Sequence, residues 1–181
     1  IERDVRHHVA ARSSQALMQL AKAVFESTGS ETSIRSLAKQ FDLAPDTVVQ
    51  YLNAFVDAYL IIPCPFFTYS ERKSVVRPQK YYPIDLALHD AIVTQTSLNL
   101  GKKFETIVFY ELRKKYQKVF YWRGKGEVDF VVETKNGVQP IQVSWEEKKE
   151  RHVEALKEFK EEYPHTLNPL FIDRTNFLTS I

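Results

Sequence analysis

The chain has 181 residues, 44% hydrophobic and 27% charged, a balance that excludes a disordered tail and suits one large or two small globular domains. Its net charge of +2 and pI of about 8.6 permit contact with nucleic acid without pointing to it. A single cysteine, Cys64, rules out an internal disulfide and a Cys/His zinc framework, so a reducing cytoplasm is expected, and no apolar run approaches a membrane span or a signal peptide.

The opening Ile1-Glu2-Arg3-Asp4-Val5 reads like mid-protein sequence, so a fragment of a longer protein is expected. Leu17, Leu20, Ala21 and Val24 recur at helical spacing and predict a helix over about Ser14 to Ser27, with Gly29 near its end. Ser33 stands where an N-cap belongs, ahead of Ile34, Leu37, Ala38 and Phe41. Asp42-Leu43-Ala44 forms a short break. Pro45 then suits the first position of a helix whose stripe is Val48, Tyr51, Leu52 and Phe55 and which ends near Ala58. Asp42 stands in the turn where glycine is common, and Asp tolerates the left-handed conformation better than most residues. Leu60-Ile61-Ile62 predicts a short buried strand. Phe66 to Tyr82 predicts a hairpin around the charged tip Ser70-Glu71-Arg72-Lys73. Three helices followed by a hairpin is the order of a winged helix-turn-helix.

Ile84 to Leu98 predicts a connecting helix, and Lys102 to Tyr116 a strong one with Phe104, Ile107, Val108 and Leu112 inside. Strands are predicted at Lys118 to Trp122, Glu127 to Glu133 and Val138 to Trp145. Gly124 and Gly126 mark the first turn and Asn136-Gly137 the second, a tight hairpin. Glu146 to Tyr163 is a charged amphipathic helix, and Pro169 to Asp173 a last short strand. The order of this half is α-β-β-β-α-β.

Chemistry concentrates there. Asp129 lies within Glu127-Val128-Asp129-Phe130. Gln142 and Ser144 share one face of the next strand by its period of two. Glu105 lies on the preceding helix. A helical Glu, a strand Asp and an acidic-x-Lys resemble the active-site plan of PD-(D/E)XK nucleases. There carboxylates hold Mg²⁺ or Mn²⁺, and a lysine steers the hydroxide and steadies charge on the phosphate. Here Gln142 replaces a carboxylate and Ser144 replaces the lysine. Glu105, Asp129 and Gln142 therefore form a degenerate catalytic set and a weak metal set. A cation from Lys125, Arg123 or Lys148 would have to restore it.

Over most of its length the chain resembles the C-terminal region of prokaryotic AAA-type ATPases known as domain of unknown function 4143. Leu37-Ala38, Leu43, Pro45 to Val48 and Tyr51-Leu52 match its helix-turn-helix; Lys80-Tyr81-Tyr82 and Asp85 to Leu88 match its connector. Gly101, Phe104-Glu105, Val108, Tyr121-Trp122-Arg123, Glu127 to Phe130 and Ile141-Gln142-Val143 match its nuclease-like core. Ala87 departs from the glycine usual in the connector. No phosphate-binding loop is present: Thr96 and Val119, not glycines, stand five residues before the Gly101-Lys102 and Gly124-Lys125 pairs. The resemblance implies a winged-helix module with connector over residues 1–96 and a nuclease-like α/β domain over 97–181.

In the helix-turn-helix, Gln50 and Asn53 are the candidate base readers, but no Lys or Arg lies between Pro45 and Asp57. Candidate phosphate contacts are Arg35 and Lys39 on the preceding helix, with Arg72, Lys73, Arg77 and Lys80 on or beside the wing. The alternative is that these are solvated surface charges. His7-His8 is expected to be a packed or frayed terminus, Glu146 to Arg151 a solvated helix face, and Trp122 and Trp145 packing residues. The expected role is a non-catalytic accessory region of an ATPase, with the upstream ATPase domain and DNA as the implied partners. The rival readings are a divalent-metal-dependent endonuclease and a protein-interaction or oligomerisation module.

Overall fold

In a computed structural model the structure describes residues 14–93, 99–146 and 150–180. It is a mixed α/β chain whose contacts divide it into two compact units. The first comprises residues 1–63 and 78–98, the second residues 64–77 and 99–181. The segment Cys64–Arg77, which sequence reasoning places with the first module, thus packs with the second unit. Ile1 to Val5, the His7-His8 pair, the end of the expected connecting helix past Val93 and Lys148 lie outside the described residues.

The first unit opens with α1 (Ser14–Glu26), β1 (Glu31–Thr32), α2 (Ile34–Gln40) and α3 (Pro45–Asp57). Leu17, Leu20, Ala21, Val24 and Phe25 form the buried stripe of α1. Ser33 caps α2, its hydroxyl accepting from the Ser36 amide at 3.2 Å, a contact that stabilises a helix start by about 1 kcal/mol. Asp42 adopts φ 51°, so the turn does use the left-handed conformation. Pro45 starts α3, and Val48, Tyr51, Leu52, Ala54 and Phe55 bury its inner face. After a second left-handed residue, Tyr59, come β2 (Ile61–Cys64) and later β3 (Gln79–Pro83) and α5 (Leu86–Ile92). The intervening α4 (Glu71–Val76) belongs to the other unit. The sheet order is β1-β3-β2, with Glu31 opposite Lys80 and Thr32 opposite Gln79 in an antiparallel pair.

The expected hairpin over Phe66 to Tyr82 does not form. Phe66 bridges to Tyr121 of the second unit instead. The Ser70 hydroxyl caps the Lys73 amide at 3.4 Å and starts α4 where a strand tip was expected. The aromatic run has its partners far along the chain, so its strand-like composition is satisfied by that pairing rather than by the residues that follow.

The second unit is built on α6 (Leu100–Lys115), β4 (Val119–Arg123), β5 (Glu127–Thr134), β6 (Gly137–Val143), α7 (Glu150–Glu162), β7 (Leu170–Ile172) and α8 (Phe177–Ser180). Asn99 caps α6 through the Lys102 amide at 2.9 Å. The sheet runs β4-β5-β6-β7, antiparallel for the first two pairs and parallel for β6 with β7. Gly137, at φ 132°, closes the expected β5–β6 turn. Pro65 to Phe67 pairs along β4, with the Tyr121 amide donating to Pro65 O at 3.0 Å and the Phe67 amide donating to Tyr121 O at 2.7 Å. This covers a strand edge that would otherwise be open to pairing with another chain. Phe67, Trp122, Phe159 and Tyr163 form an aromatic cluster, with Trp122 edge-on to Phe159 at 5.3 Å and Phe67 edge-on to Tyr163 at 5.1 Å. Such pairs add about 0.5–1.5 kcal/mol each beyond area burial. Val128 to Val132 are buried throughout, and Phe130 stacks on Phe109 of α6 at 5.7 Å.

Candidate functional site

A pocket of about 890 Å³ opens in the second unit. The first turns of α6 supply Lys102 and Glu105, β5 supplies Asp129, and β6 with its continuation supplies Gln142 and Ser144. The residues that the sequence singled out are therefore brought to one place. Strand register explains it: β5 and β6 are hydrogen-bonded neighbours, and α6 presents Glu105 to the same end. The β4–β5 turn adds Lys125, and α7 adds Arg151 and His152.

Inside, the acidic groups have protein partners. Glu105, 9% exposed, is gripped by Lys102, whose Nζ lies 2.9 and 3.2 Å from the two carboxylate oxygens. Asp129, also 9% exposed, accepts at one oxygen from the Val143 amide at 2.8 Å and from Gln142 Nε2. Gln142 is 3% exposed, and its Oε1 has no hydrogen-bond partner among the described residues. Direct hydrogen bonds to a buried carboxylate are the stronger kind, since one partner is charged.

This arrangement does not suit a divalent cation. Mg²⁺ needs several hard oxygen ligands. Here one carboxylate carries an ammonium, and Gln142 turns its NH₂ rather than its oxygen towards the other. Among the described residues no three His, Cys, Asp or Glu side chains are grouped to hold a metal ion.

Of the cations considered as replacements for the absent lysine, Lys125 lines the pocket, whereas Arg123 is bound to Glu127 at 3.1 Å. The cation that stands at Glu105 is Lys102, which sequence reasoning missed. Its signal was the i, i+3 spacing to Glu105 on the same helix. A second missed residue is Glu158 of α7. Its carboxylate accepts from the Lys125 amide at 2.9 and 3.0 Å and from the Gly126 amide at 3.2 Å. Those backbone hydrogen bonds hold its pKa below the usual carboxylate range. Glu158 thereby pins the turn that carries Lys125. Gly126 sits so close to α7 that a Cβ there would lie 2.6 Å from the Ala155 Cβ.

The residues singled out for nucleic acid fall in both units. Gln50 and Asn53 are exposed on α3, and Arg35 and Lys39 are exposed on α2. Arg72 and Lys73 are exposed on α4 of the second unit, where Arg77 stacks over Phe66 at 4.7 Å. Lys80 departs from the expectation of a surface cation. It lies on the central strand of the small sheet with its side chain fully buried, so it has no surface to offer a phosphate. Trp122 is core, and Trp145 packs edge-on to Phe104 at 5.6 Å beside the pocket. No described helix is long and apolar enough to cross a membrane.

Two family models match in succession. The first, Domain of unknown function (DUF8612), matches residues 1–100, and the second, Domain of unknown function (DUF4143), matches residues 100–177. No curated protein and no solved structure matches the chain. With the first model covering more than half of its length and the second nearly all the rest, the chain belongs to the family of Domain of unknown function (DUF8612) and carries a DUF4143 domain behind it.

Proposed function

We propose that the chain is a non-catalytic accessory region of an AAA-type ATPase, pairing a winged helix-turn-helix with a degenerate PD-(D/E)XK nuclease-like unit. The α-β-β-β-α-β order and the antiparallel, antiparallel, parallel sheet support the nuclease-like reading. Helices α1 to α3 with the three short strands support the winged helix. One observation carries the loss of chemistry. Asp129, the carboxylate at the metal position of the plan, is held by the Gln142 amide and the Val143 N–H. Gln142 thus supplies a proton donor where a nuclease needs a third anionic ligand, and Ser144 stands where it needs a lysine. With Glu105 paired to Lys102 and the third carboxylate replaced by an amide, the pocket is short of the anionic ligands that a water-activating metal needs.

The test is a titration of plasmid and labelled oligonucleotides with and without Mn²⁺ or Mg²⁺, comparing the wild type with Asp129→Ala. The expected result is no cleavage in either. Metal-dependent cleavage that disappears in Asp129→Ala and in Lys102→Ala would overturn the reading in favour of an endonuclease with a relocated lysine. The same titration reads binding. A winged-helix contact with DNA gives affinity that falls steeply with salt, and Arg35→Ala/Lys39→Ala, on α2 of the first unit, blunts that slope.

A further inference from the structure

Two exposed faces lie outside the pocket, and they are opposite in charge. The short helix α4 has no buried residue. Val75 and Val76 are 85% and 76% exposed, and Arg72 and Lys73 stand one turn before them on the same side. Adjacent β-branched residues held this far out of the core are an apolar surface that the described residues do not cover. The other face is the outer stripe of α3, where Asp46, Val49, Asn53 and Asp57 recur at helical spacing and are exposed. That helix carries no basic residue in its last turn. Asp57 therefore adds a negative charge at the end of the helix that is already negative, an arrangement a cation would relieve. Tyr59 follows the C-cap Ala58, left-handed and 77% exposed.

We propose that α4 of one molecule docks on the C-terminal end of α3 of a second copy. Arg72 and Lys73 meet Asp57 and the α3 carbonyl end, and Val75 and Val76 pack on Tyr59. Nucleic acid would account for the two cations but leaves Asp57, Tyr59 and the two valines unexplained; a second copy uses all of them. The contact joins two different faces, so two copies can exchange it reciprocally or pass it on head to tail. One helix of six residues buries well under the ~1,000 Å² of a stable interface. Association is therefore weak, strengthened by low salt and by tethering in a larger assembly.

Sedimentation velocity over a concentration series tests this. The wild type is expected to associate at low salt and to revert to monomer at high salt. Asp57→Lys alone and Arg72→Glu/Lys73→Glu alone stay monomeric, and an equimolar mixture of the two regains assembly because each supplies the charge the other lost. Val75→Ser/Val76→Ser weakens assembly at least tenfold at unchanged far-UV circular dichroism, since neither side chain is buried. A wild type that stays monomeric at every concentration overturns the proposal, as does assembly that survives both charge reversals. Loss of oligonucleotide or anionic-vesicle binding in the α4 variants, without effect on assembly, would assign the face to those partners instead.

Discussion

Replacing Asp129 by alanine tests the internal compensation of the pocket directly. The substitution removes the acceptor for the Val143 N–H and for the Gln142 amide, both inside a site where Gln142 is 3% exposed. A donor stranded in the interior costs about 1–3 kcal/mol, so two of them imply a loss of about 2–4 kcal/mol after partial relaxation. At about 2 kcal/mol per molar urea, the midpoint falls by about 1–2 M. Tryptophan fluorescence is the right probe, because both tryptophans, Trp122 and Trp145, lie in the second unit. Asp129→Asn is expected to lose under ~1 kcal/mol: its carbonyl oxygen, standing where the accepting carboxylate oxygen stood, keeps both the Val143 N–H and the Gln142 amide. An Asp129→Ala variant as stable as the wild type, or more stable, would refute the reasoning. It would mean that the carboxylate is strained in place for a ligand rather than serving the fold.

Gly126→Ala places a Cβ 2.6 Å from the Ala155 Cβ and 3.0 Å from its Cα; the expected loss is about 1–3 kcal/mol, read as the same urea midpoint and recovered in part by Ala155→Gly. Lys80→Ala removes a fully buried side chain and is expected to destabilise the first unit by about 2–5 kcal/mol, seen as faster amide exchange in α1 and α3. Tyr163 is pushed up to about 12, chiefly by burial. Its folded value lies above its unfolded value, so its contribution to stability is complete below about pH 10 and is lost as pH rises towards 12. Tyr163→Phe should flatten the fall in urea midpoint over that window, and an unchanged slope would place the pH sensitivity elsewhere.

Helical periodicity located α1, α3 and α6 within about two residues of their ends, since each buries a stripe of apolar residues, although Ile107, expected inside α6, is 37% exposed. The strands β4 to β6 were legible from turn residues, and Gly137 does occupy the glycine-favouring conformation. Glu105, Asp129 and Gln142 could be placed on one site because a helix face and two adjacent strands determine their positions. What escaped depends on contacts distant in sequence. Phe66 and Phe67 look like half of a hairpin until Tyr121 claims them. Ser70-Glu71-Arg72-Lys73 looks like a charged tip, although a serine cap ahead of good helix formers was a local signal for α4. Lys80 looks solvated until the neighbouring strands enclose it. The direction in which the Gln142 amide points, on which the chemistry turns, has no signature in sequence at all.

The path of residues 64–77 makes the two halves interdependent in synthesis and in dissection. The first unit can close as soon as β3 and α5 have emerged, because its pieces lie within residues 1–98. The looped-out stretch must then wait for Tyr121 before Phe66 and Phe67 find their places, so the aromatic segment is the last early piece of chain to be consolidated. A cut at residue 100, where the two family models meet, would part the second unit from its own edge segment. It would bare β4 and open a hole beside Phe159 and Tyr163. The seam written in the sequence families and the seam of the folded molecule are different seams, and only a fragment that respects the second can be expected to stay folded.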